Sequence, residues 1–169
     1  MATNRDVVAA LIKKQVRIVP FEYHRPGLHA MSAEAGRQVP TILDRLCGNK
    51  WTKEDIFFGG ARGVAAQHAI LACRNKLVSL SRIHCCDIAD GTFVSPKIGM
   101  SYETFSSKNI RKLLAELRKC RILILAAASS SGGVKFLKPR HLDHLMDDTV
   151  IIQVSIDEGG NIDDPGFQR

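Results

Sequence analysis

Three groups of residues in this sequence have the types and spacing that binding or catalysis requires. The first is a set of lysines and arginines between positions 108 and 140, the second is the glycine-rich stretch 59–63, and the third is the run of histidine, two cysteines and aspartate at 84–87. The ligands they suggest are, respectively, a polyanion, a phosphate group and a metal ion. Each interpretation depends on the elements that position the side chains.

The basic residues belong to an amphipathic helix predicted over about 106–121 and to the segment that follows it. The apolar stripe of this helix recurs at helical spacing and consists of Ile110, Leu113, Leu114, Leu117 and Cys120. Lysines and arginines occupy the other face, so we expect a surface that contacts nucleic-acid phosphates. The predicted contacts are Lys108, Arg111, Lys112, Arg118 and Lys119 on the helix, and Arg121, Lys135, Lys138 and Arg140 near the following tip.

An apolar run at 122–128 follows the helix and predicts a buried strand, although periodicity alone does not separate a short strand from a helix. Residues 129–133 predict a flexible serine-glycine tip, and Val134–Leu137 predict a short strand. This is the order of a winged helix-turn-helix, which would span 98–138 with Tyr102–Phe105 as its preceding helix. The competing interpretation is a solvated basic helix packed on a sheet.

The glycine-rich stretch reads Gly59-Gly60-Ala61-Arg62-Gly63 and precedes a predicted helix. Backbone N–H groups at a helix start suit an anion, so Gly60, Arg62 and Gly63 are candidate anion-binding residues. A phosphate-binding P-loop needs Lys and then Ser or Thr after its last glycine, whereas a valine and an alanine follow here. No clear strand precedes the loop either. The sequence therefore favours a structural turn over a nucleotide site.

The run His84-Cys85-Cys86-Asp87 contains metal-capable groups, but neighbours in a strand point to opposite faces, so at most two could share one ion. A second pair of ligands, as in zinc fingers, is missing. His141 and His144 lie about one helical turn apart, and a polar helix face is the favoured interpretation there. We predict buried cysteines, no metal site and no cofactor. No catalytic residue is assigned, because the common hydrolase motifs are absent.

The elements that would position these groups are mostly helices, with roughly four to six short strands. An α+β fold, a mostly helical single domain, fits this composition better than alternating βαβ units. The predicted helices lie at about 3–14, 32–38, 40–47, 52–58, 61–80, 106–121 and 142–146, and the predicted strands at 15–19, 83–88, 92–94, 122–128, 134–137 and 150–155.

Length and charge place the chain among globular proteins with a polyanionic partner. The 169 residues suffice for one domain, predicted at 1–156 with lobes at 1–80 and 81–156. The total net charge is +7, but residues 141–169 carry seven acids against one arginine, or −6, which leaves +13 on residues 1–140. A basic body suggests nucleic acid as a partner. Residues 157–169 are predicted to form an acidic flexible tail.

The five cysteines are odd in number and follow no disulfide framework, which indicates reduced thiols in an intracellular protein, cytoplasmic or nuclear. No apolar run approaches the roughly 20 residues of a membrane span, so no membrane association is expected.

Three functions agree with these observations. The first is a non-enzymatic nucleic-acid-binding protein, in which the basic helix and tip contact the backbone of DNA or RNA. The second is a self-assembling coat or nucleocapsid-type protein, a homo-oligomer with a basic inner face. The third is an enzyme that acts on an anionic substrate through the loop at 59–63. Composition and spacing favour the first.

Overall fold

The computed structural model of the chain describes residues 17–20, 28–77, 79–96, 98–129, 132–154 and 160–163. The helix predicted at 3–14 and most of the predicted acidic tail lie outside these residues.

Among the described residues, seven strands form one sheet, and two very short strands form a separate pair. The sheet strands are β1 (Arg17–Pro20), β2 (Ile56–Gly59), β3 (Ile83–Asp87), β4 (Gly91–Ser95), β5 (Met100–Ser106), β6 (Ile122–Leu125) and β9 (Val150–Gln153). The separate pair consists of β7 (Ala128–Ser129) and β8 (Gly132–Gly133).

The sheet is almost entirely parallel, and its strands lie in the order β1-β9-β6-β2-β3-β5-β4. Only the edge strand β4 runs antiparallel to its neighbour, β5. After the central β2 the chain adds β3 and then β5 on one side, and it returns to the other side of β2 with β6 and β9. The connections from β2 and β6 therefore leave in opposite directions, which makes a topological switch point between these two strands.

In the part of the chain that the structure describes, four α-helices and two 3-10 turns connect the strands. The helices are α1 (Leu28–Cys47), α2 (Val64–Arg74), α3 (Ile110–Leu117) and α4 (Pro139–Leu142), and the 3-10 turns are Gly48–Lys53 and Leu80–Arg82. Helices α1 and α2 pack on one face of the sheet, and α3 and α4 pack on the other. The result is a three-layer arrangement with a core on each side of the sheet.

Alternate residues of the central strands supply the two cores. In β2, Ile56 and Phe58 join the core beneath α1 and α2, whereas Phe57 joins the core beneath α3 and α4. In β6, Ile124 joins the core beneath α1 and α2, and Leu123 joins the core beneath α3 and α4. A parallel sheet covered on both faces needs apolar side chains at every position, which explains the continuous apolar runs in these strands.

The predicted fold class is wrong: the chain is an α/β protein with a mostly parallel sheet, not a mostly helical α+β domain. The stretch Ile56–Phe58 was assigned to a helix because polar residues that favour a helix start precede it. It forms the central strand β2, which is buried at all four of its positions. A short, fully buried strand does not alternate polar with apolar residues, so periodicity does not identify it.

The predicted winged-helix element at 98–138 is also wrong. Tyr102–Phe105, the expected preceding helix, lies inside strand β5, which pairs with β3 and β4. Val134–Leu137 forms no strand beyond an isolated bridge between Leu137 and Ile162. The strand β6 within the apolar run at 122–128 is confirmed, but it lies near the middle of the sheet beside β2.

Candidate functional site

The glycine-rich loop lies at the carboxyl edge of the sheet, next to the topological switch point. Strand β2 ends at Gly59, and helix α2 begins at Val64, so the loop is a strand-to-helix turn in the middle of the sheet. No clear strand is predicted before the loop, but in the structure β2 directly precedes it. Ligands of open α/β sheets bind at this edge and at such a switch point.

Gly60 gives the turn its shape. Its φ of +74° lies in the left-handed region that favours glycine. The backbone N–H groups of Gly60 and Ala61 both donate to the carbonyl of Cys86, at 3.0 and 3.1 Å, which ties the loop to the end of β3. A Cβ at Gly60 would stand 2.5 Å from the Cα of Ala127, so the loop and the segment after β6 approach each other directly.

Helix α2 begins at this turn without a side-chain cap. Gly63 is its N-cap residue and has no side chain to accept from the first helical N–H groups. The first turn of α2 carries no acidic residue either. Uncapped N–H groups and the positive end of the helix dipole are suited to a negatively charged ligand.

Arg62 holds the loop to the turn that follows β3. Its Nη2 donates to the carbonyls of Ala89 and Asp90, each at 3.3 Å, and to Oγ1 of Thr104 at 2.8 Å. Its guanidinium also lies 5.4 Å from the ring centre of Phe93. The charged end of Arg62 is therefore directed at the β3–β4 turn, whereas sequence reasoning expected it beside an anion.

Asp87 ends strand β3 and completes the edge of the site. Its Oδ2 accepts the backbone N–H of Arg62 at 2.7 Å, and its Oδ1 accepts that of Ile88 at 2.7 Å. The residue lies 24 positions after Gly63. In the sequence, Asp87 stands out only as part of a metal-capable run, although an acidic residue about 20 positions beyond a glycine turn is also a signal for ribose binding.

These groups line one cleft of about 270 Å³. Its floor and sides come from the loop, from the end of β3 and from the small residues that follow β6. The lining includes Gly60, Gly63, Asp87, Ile88, Ser107 and Ala127. Ile88 is 71% exposed at the mouth of the cleft, which is unusual for a large apolar residue.

One wall of the cleft is held in place by a buried asparagine. Nδ2 of Asn161 donates to the carbonyls of Ala127 and Val134, at 2.5 and 2.9 Å, and so joins the two segments. The carbonyl of Asn161 accepts the N–H groups of Phe136 and Leu137. Asn161 is fully buried, so it supports the wall from behind.

The predicted nucleic-acid contacts lie on other surfaces. Most of them are exposed on α3, on α4 or beside these helices: Lys108, Arg111, Lys112, Arg118, Lys119, Arg121, Lys138 and Arg140. Lys135 is only half-exposed, and its Nζ lies 3.5 Å from the carbonyls of Gly160 and Ile162. The structure brings Gly60, Arg62 and Gly63 together in the loop. None of the nine predicted nucleic-acid contacts is among the residues that line the cleft, although Lys108 directly follows the lining residue Ser107.

The metal-capable side chains of residues 84–87 are spread along strand β3 and do not meet at one point. His84 contacts Asp55 through Nε2 at 3.0 Å and Glu116 through Nδ1 at 2.8 Å, near the start of the strand. Burial raises the pKa of the Cys85 thiol to about 12 and that of Cys73 likewise, so both are inert neutral thiols at ordinary pH. Within the described ranges, no group of three or more His, Cys, Asp or Glu could hold a metal ion.

Within the part of the chain that the structure describes, no helix has the length and apolar character to cross a membrane.

The chain is similar to the crystal structure of the transhydrogenase from Sinorhizobium meliloti, with 18% sequence identity and a TM-score of 0.60. The similarity covers 80% of this chain but 42% of that one, so the chain spans less than half the length of the solved protein. At this identity the likeness shows the fold, an α/β Rossmann-like domain. No protein-family model and no curated protein sequence matches the chain.

Proposed function

We propose that this domain binds a dinucleotide coenzyme in the cleft formed by the ends of β2, β3 and β6. The observation that carries the proposal is that the Gly60–Gly63 turn, the uncapped start of α2 and the Asp87 carboxylate meet at one edge of the sheet. A dinucleotide would contact each of them. Its pyrophosphate needs N–H donors and a main chain that it can approach closely, and a ribose hydroxyl needs a carboxylate to accept its hydrogen bond.

The Asp87 carboxylate favours a coenzyme with a free ribose diol. Each of its oxygens accepts one backbone N–H, and each retains a further lone pair for a hydroxyl donor. A 2′-phosphate at the same place would meet the negative charges of Asp87 and of Asp90. NADH should therefore bind more tightly than NADPH.

Arg62 is the departure from the usual glycine pattern. In a G-x-G-x-x-G/A pattern that starts at Gly60, the second glycine position is Arg62 and the third is Ala65. The guanidinium is hydrogen-bonded to the β3–β4 turn and to Thr104 of β5. We therefore propose that the pyrophosphate approaches the main chain at Gly63. There is little room for a side chain there, because an added Cβ would stand 3.1 Å from the carbonyl oxygen of Gly60.

The likeness to a transhydrogenase supports a coenzyme ligand in one respect. A transhydrogenase is named for hydrogen transfer, and nicotinamide coenzymes are common hydride carriers in enzymes. We extend only coenzyme binding to this chain and assign it no hydride-transfer residue.

Calorimetric titration with NADH, NADPH and ADP-ribose tests the proposal. NADH and ADP-ribose should bind with one site per chain, and Ile88→Glu should weaken binding at least about tenfold, or about 1.4 kcal/mol, because its charge repels the phosphates. Val94→Glu is the matched control, since Val94 is 67% exposed on β4 and is not among the residues that line the cleft. The absence of binding by all three nucleotides at millimolar concentration would contradict the proposal.

The self-assembling coat or nucleocapsid-type protein stays a prediction. Size-exclusion chromatography with light scattering tests it, and a monodisperse monomer or dimer would count against assembly.

A further inference from the structure

We propose that the outer surface of α3 and α4 binds the phosphodiester backbone of nucleic acid, as a second function separate from the cleft. The surface is defined here as the basic face and consists of Lys108, Arg111, Lys112, Arg118, Lys138 and Arg140. All six residues are exposed.

Helical geometry gathers three of these cations on one side of α3. At 100° per residue, positions 111, 112 and 118 fall within an arc of about 120°, and Lys108 directly precedes the cap residue Asn109. Leu113 and Leu117 point the opposite way and are buried in the core under the helix. The cations therefore project outward together.

The contact between Arg118 and His144 joins α3 to the segment that contains α4. The Nη2 atom of Arg118 lies 2.8 Å from Nδ1 of His144, just beyond the end of α4. Leu142 of α4 and Leu117 of α3 also belong to the same buried core. Lys138 and Arg140, at the start of α4, therefore extend the basic face beyond one helix.

Most of the basic face is not neutralised by the protein itself. Among the residues that the structure describes, no carboxylate forms an ion pair with Lys108, Arg111, Lys138 or Arg140. A polyanion bound to these cations would release its own counterions.

Three of the cations predicted from sequence are excluded from the basic face. Lys119 pairs with Glu116 at 3.1 Å, and Arg121 lies 3.9 Å from Glu54. Lys135 contacts two backbone carbonyls. These three cations have carboxylate or carbonyl partners, whereas on the basic face Arg118 contacts a histidine and Lys112 lies 5.0 Å from the ring centre of Phe105.

Fluorescence anisotropy with a labelled DNA duplex and a labelled RNA hairpin, over a series of salt concentrations, tests the proposal. The protein should bind at least one probe, and its affinity should fall steeply with salt. Arg111→Glu/Arg118→Glu should weaken binding at least about tenfold at low salt, because two contacts become repulsions. Lys138→Glu/Arg140→Glu tests the α4 part in the same way.

Lys50→Glu/Lys53→Glu is the matched control, because it changes the net charge equally at two exposed lysines in the 3-10 turn after α1. Equal losses in this control and in the α3 variant would overturn the assignment to the basic face. Absence of binding to both probes at low salt, or equal binding to polyglutamate, would overturn nucleic acid as the partner. NADH binding should be unchanged in all these variants, which keeps this proposal separate from the cleft.

Discussion

Gly60 shows how a single residue without a side chain shapes the cleft. Its positive φ turns the chain from β2 toward α2, and the missing Cβ lets the loop lie against Ala127 after β6. Gly48, which follows the end of α1, also has a positive φ, of +58°, but nothing lies within 4 Å of an added Cβ there. A comparison of substitutions at Gly60 and Gly48 therefore separates the cost of a positive φ from the cost of a steric clash.

Gly60→Ala should lower the free energy of unfolding by about 3 kcal/mol, because it adds a backbone collision to left-handed strain. Gly48→Ala should cost about 1 kcal/mol, since it adds strain alone. Urea unfolding followed by tryptophan fluorescence measures both. Equal losses in the two variants would contradict the close approach between Gly60 and Ala127.

His141 should make stability fall in mild acid. Burial, and then the charges of Arg140, Lys138 and His144, hold the pKa of His141 below its usual value of 6.5. The unfolded chain therefore binds this proton more readily than the folded chain. The stabilisation is complete above about pH 6.5 and is lost as pH falls toward the lower folded-state pKa.

His141→Gln should flatten this part of the pH dependence, as measured by urea unfolding at a series of pH values. His68→Gln is the control, since His68 is half-exposed on α2 and is not among the charges that lower the pKa of His141. If the slope below pH 6.5 is the same in wild type and in His141→Gln, another group causes it.

The chemistry of individual residues could be predicted only in part. From sequence, Gly60 and Gly63 are candidate anion-binding residues, because glycine and a helix start are visible there, although a structural turn is the favoured interpretation. The contact between Asp87 and Arg62 could not be predicted, because Arg62 lies 25 residues earlier and becomes a neighbour only through the pairing of β2 with β3.

At the scale of elements, helices with a clear apolar stripe were easier to predict than strands. The helix over 106–121 is confirmed in position, although it spans only Ile110–Leu117 and its cap is Asn109, whose side chain accepts the N–H of Lys112. In the sequence, the Asp90-Gly91 pair between the apolar runs 83–88 and 92–94 is a signal for a hairpin that pairs β3 with β4. Strand β5 inserts between these two strands, an arrangement that no local signal encodes.

Two helices predicted at 32–38 and 40–47 are a single helix, α1, with Pro40 inside it. Proline at a first helical position and proline within a longer helix look alike in sequence. The continuous helix is stabilised by its contact with α2, where Gly36 has no room for a side chain: a Cβ there would stand 2.1 Å from the carbonyl oxygen of Ala65.

Gly36→Ala should therefore destabilise the protein by about 1 to 3 kcal/mol, because α1 and α2 must move apart. Intrinsic helix propensity alone predicts the opposite effect of this substitution, a gain in stability of about 1 kcal/mol. Thermal unfolding measured by circular dichroism shows whether the variant is less or more stable than the wild type. Arg37→Ala, at an exposed neighbouring position, is the control and should change stability by less than about 0.5 kcal/mol.

At the scale of the whole molecule, the order of strands was beyond the reach of sequence reasoning. The lobes predicted at 1–80 and 81–156 each supply strands to one sheet, and β2 from the first lies between β3 and β6 from the second. Such long-range parallel pairing depends on contacts that a hydrophobic pattern does not specify.

Because the strands are interleaved, the described part should unfold as one cooperative unit. Fluorescence of the buried Trp51 and far-ultraviolet circular dichroism should give the same urea midpoint. Two separated transitions would contradict a shared sheet and would support independent lobes.

The central claim is that a dinucleotide binds at the carboxyl edge of the sheet. The most direct measurement is a titration of isotope-labelled protein with NADH, followed through backbone amide resonances in two-dimensional NMR spectra. The account predicts that the largest shifts occur at Gly60, Gly63, Ile88 and Ser107, with little change at His84 near the opposite edge. No shifts, or shifts centred near His84, would contradict it.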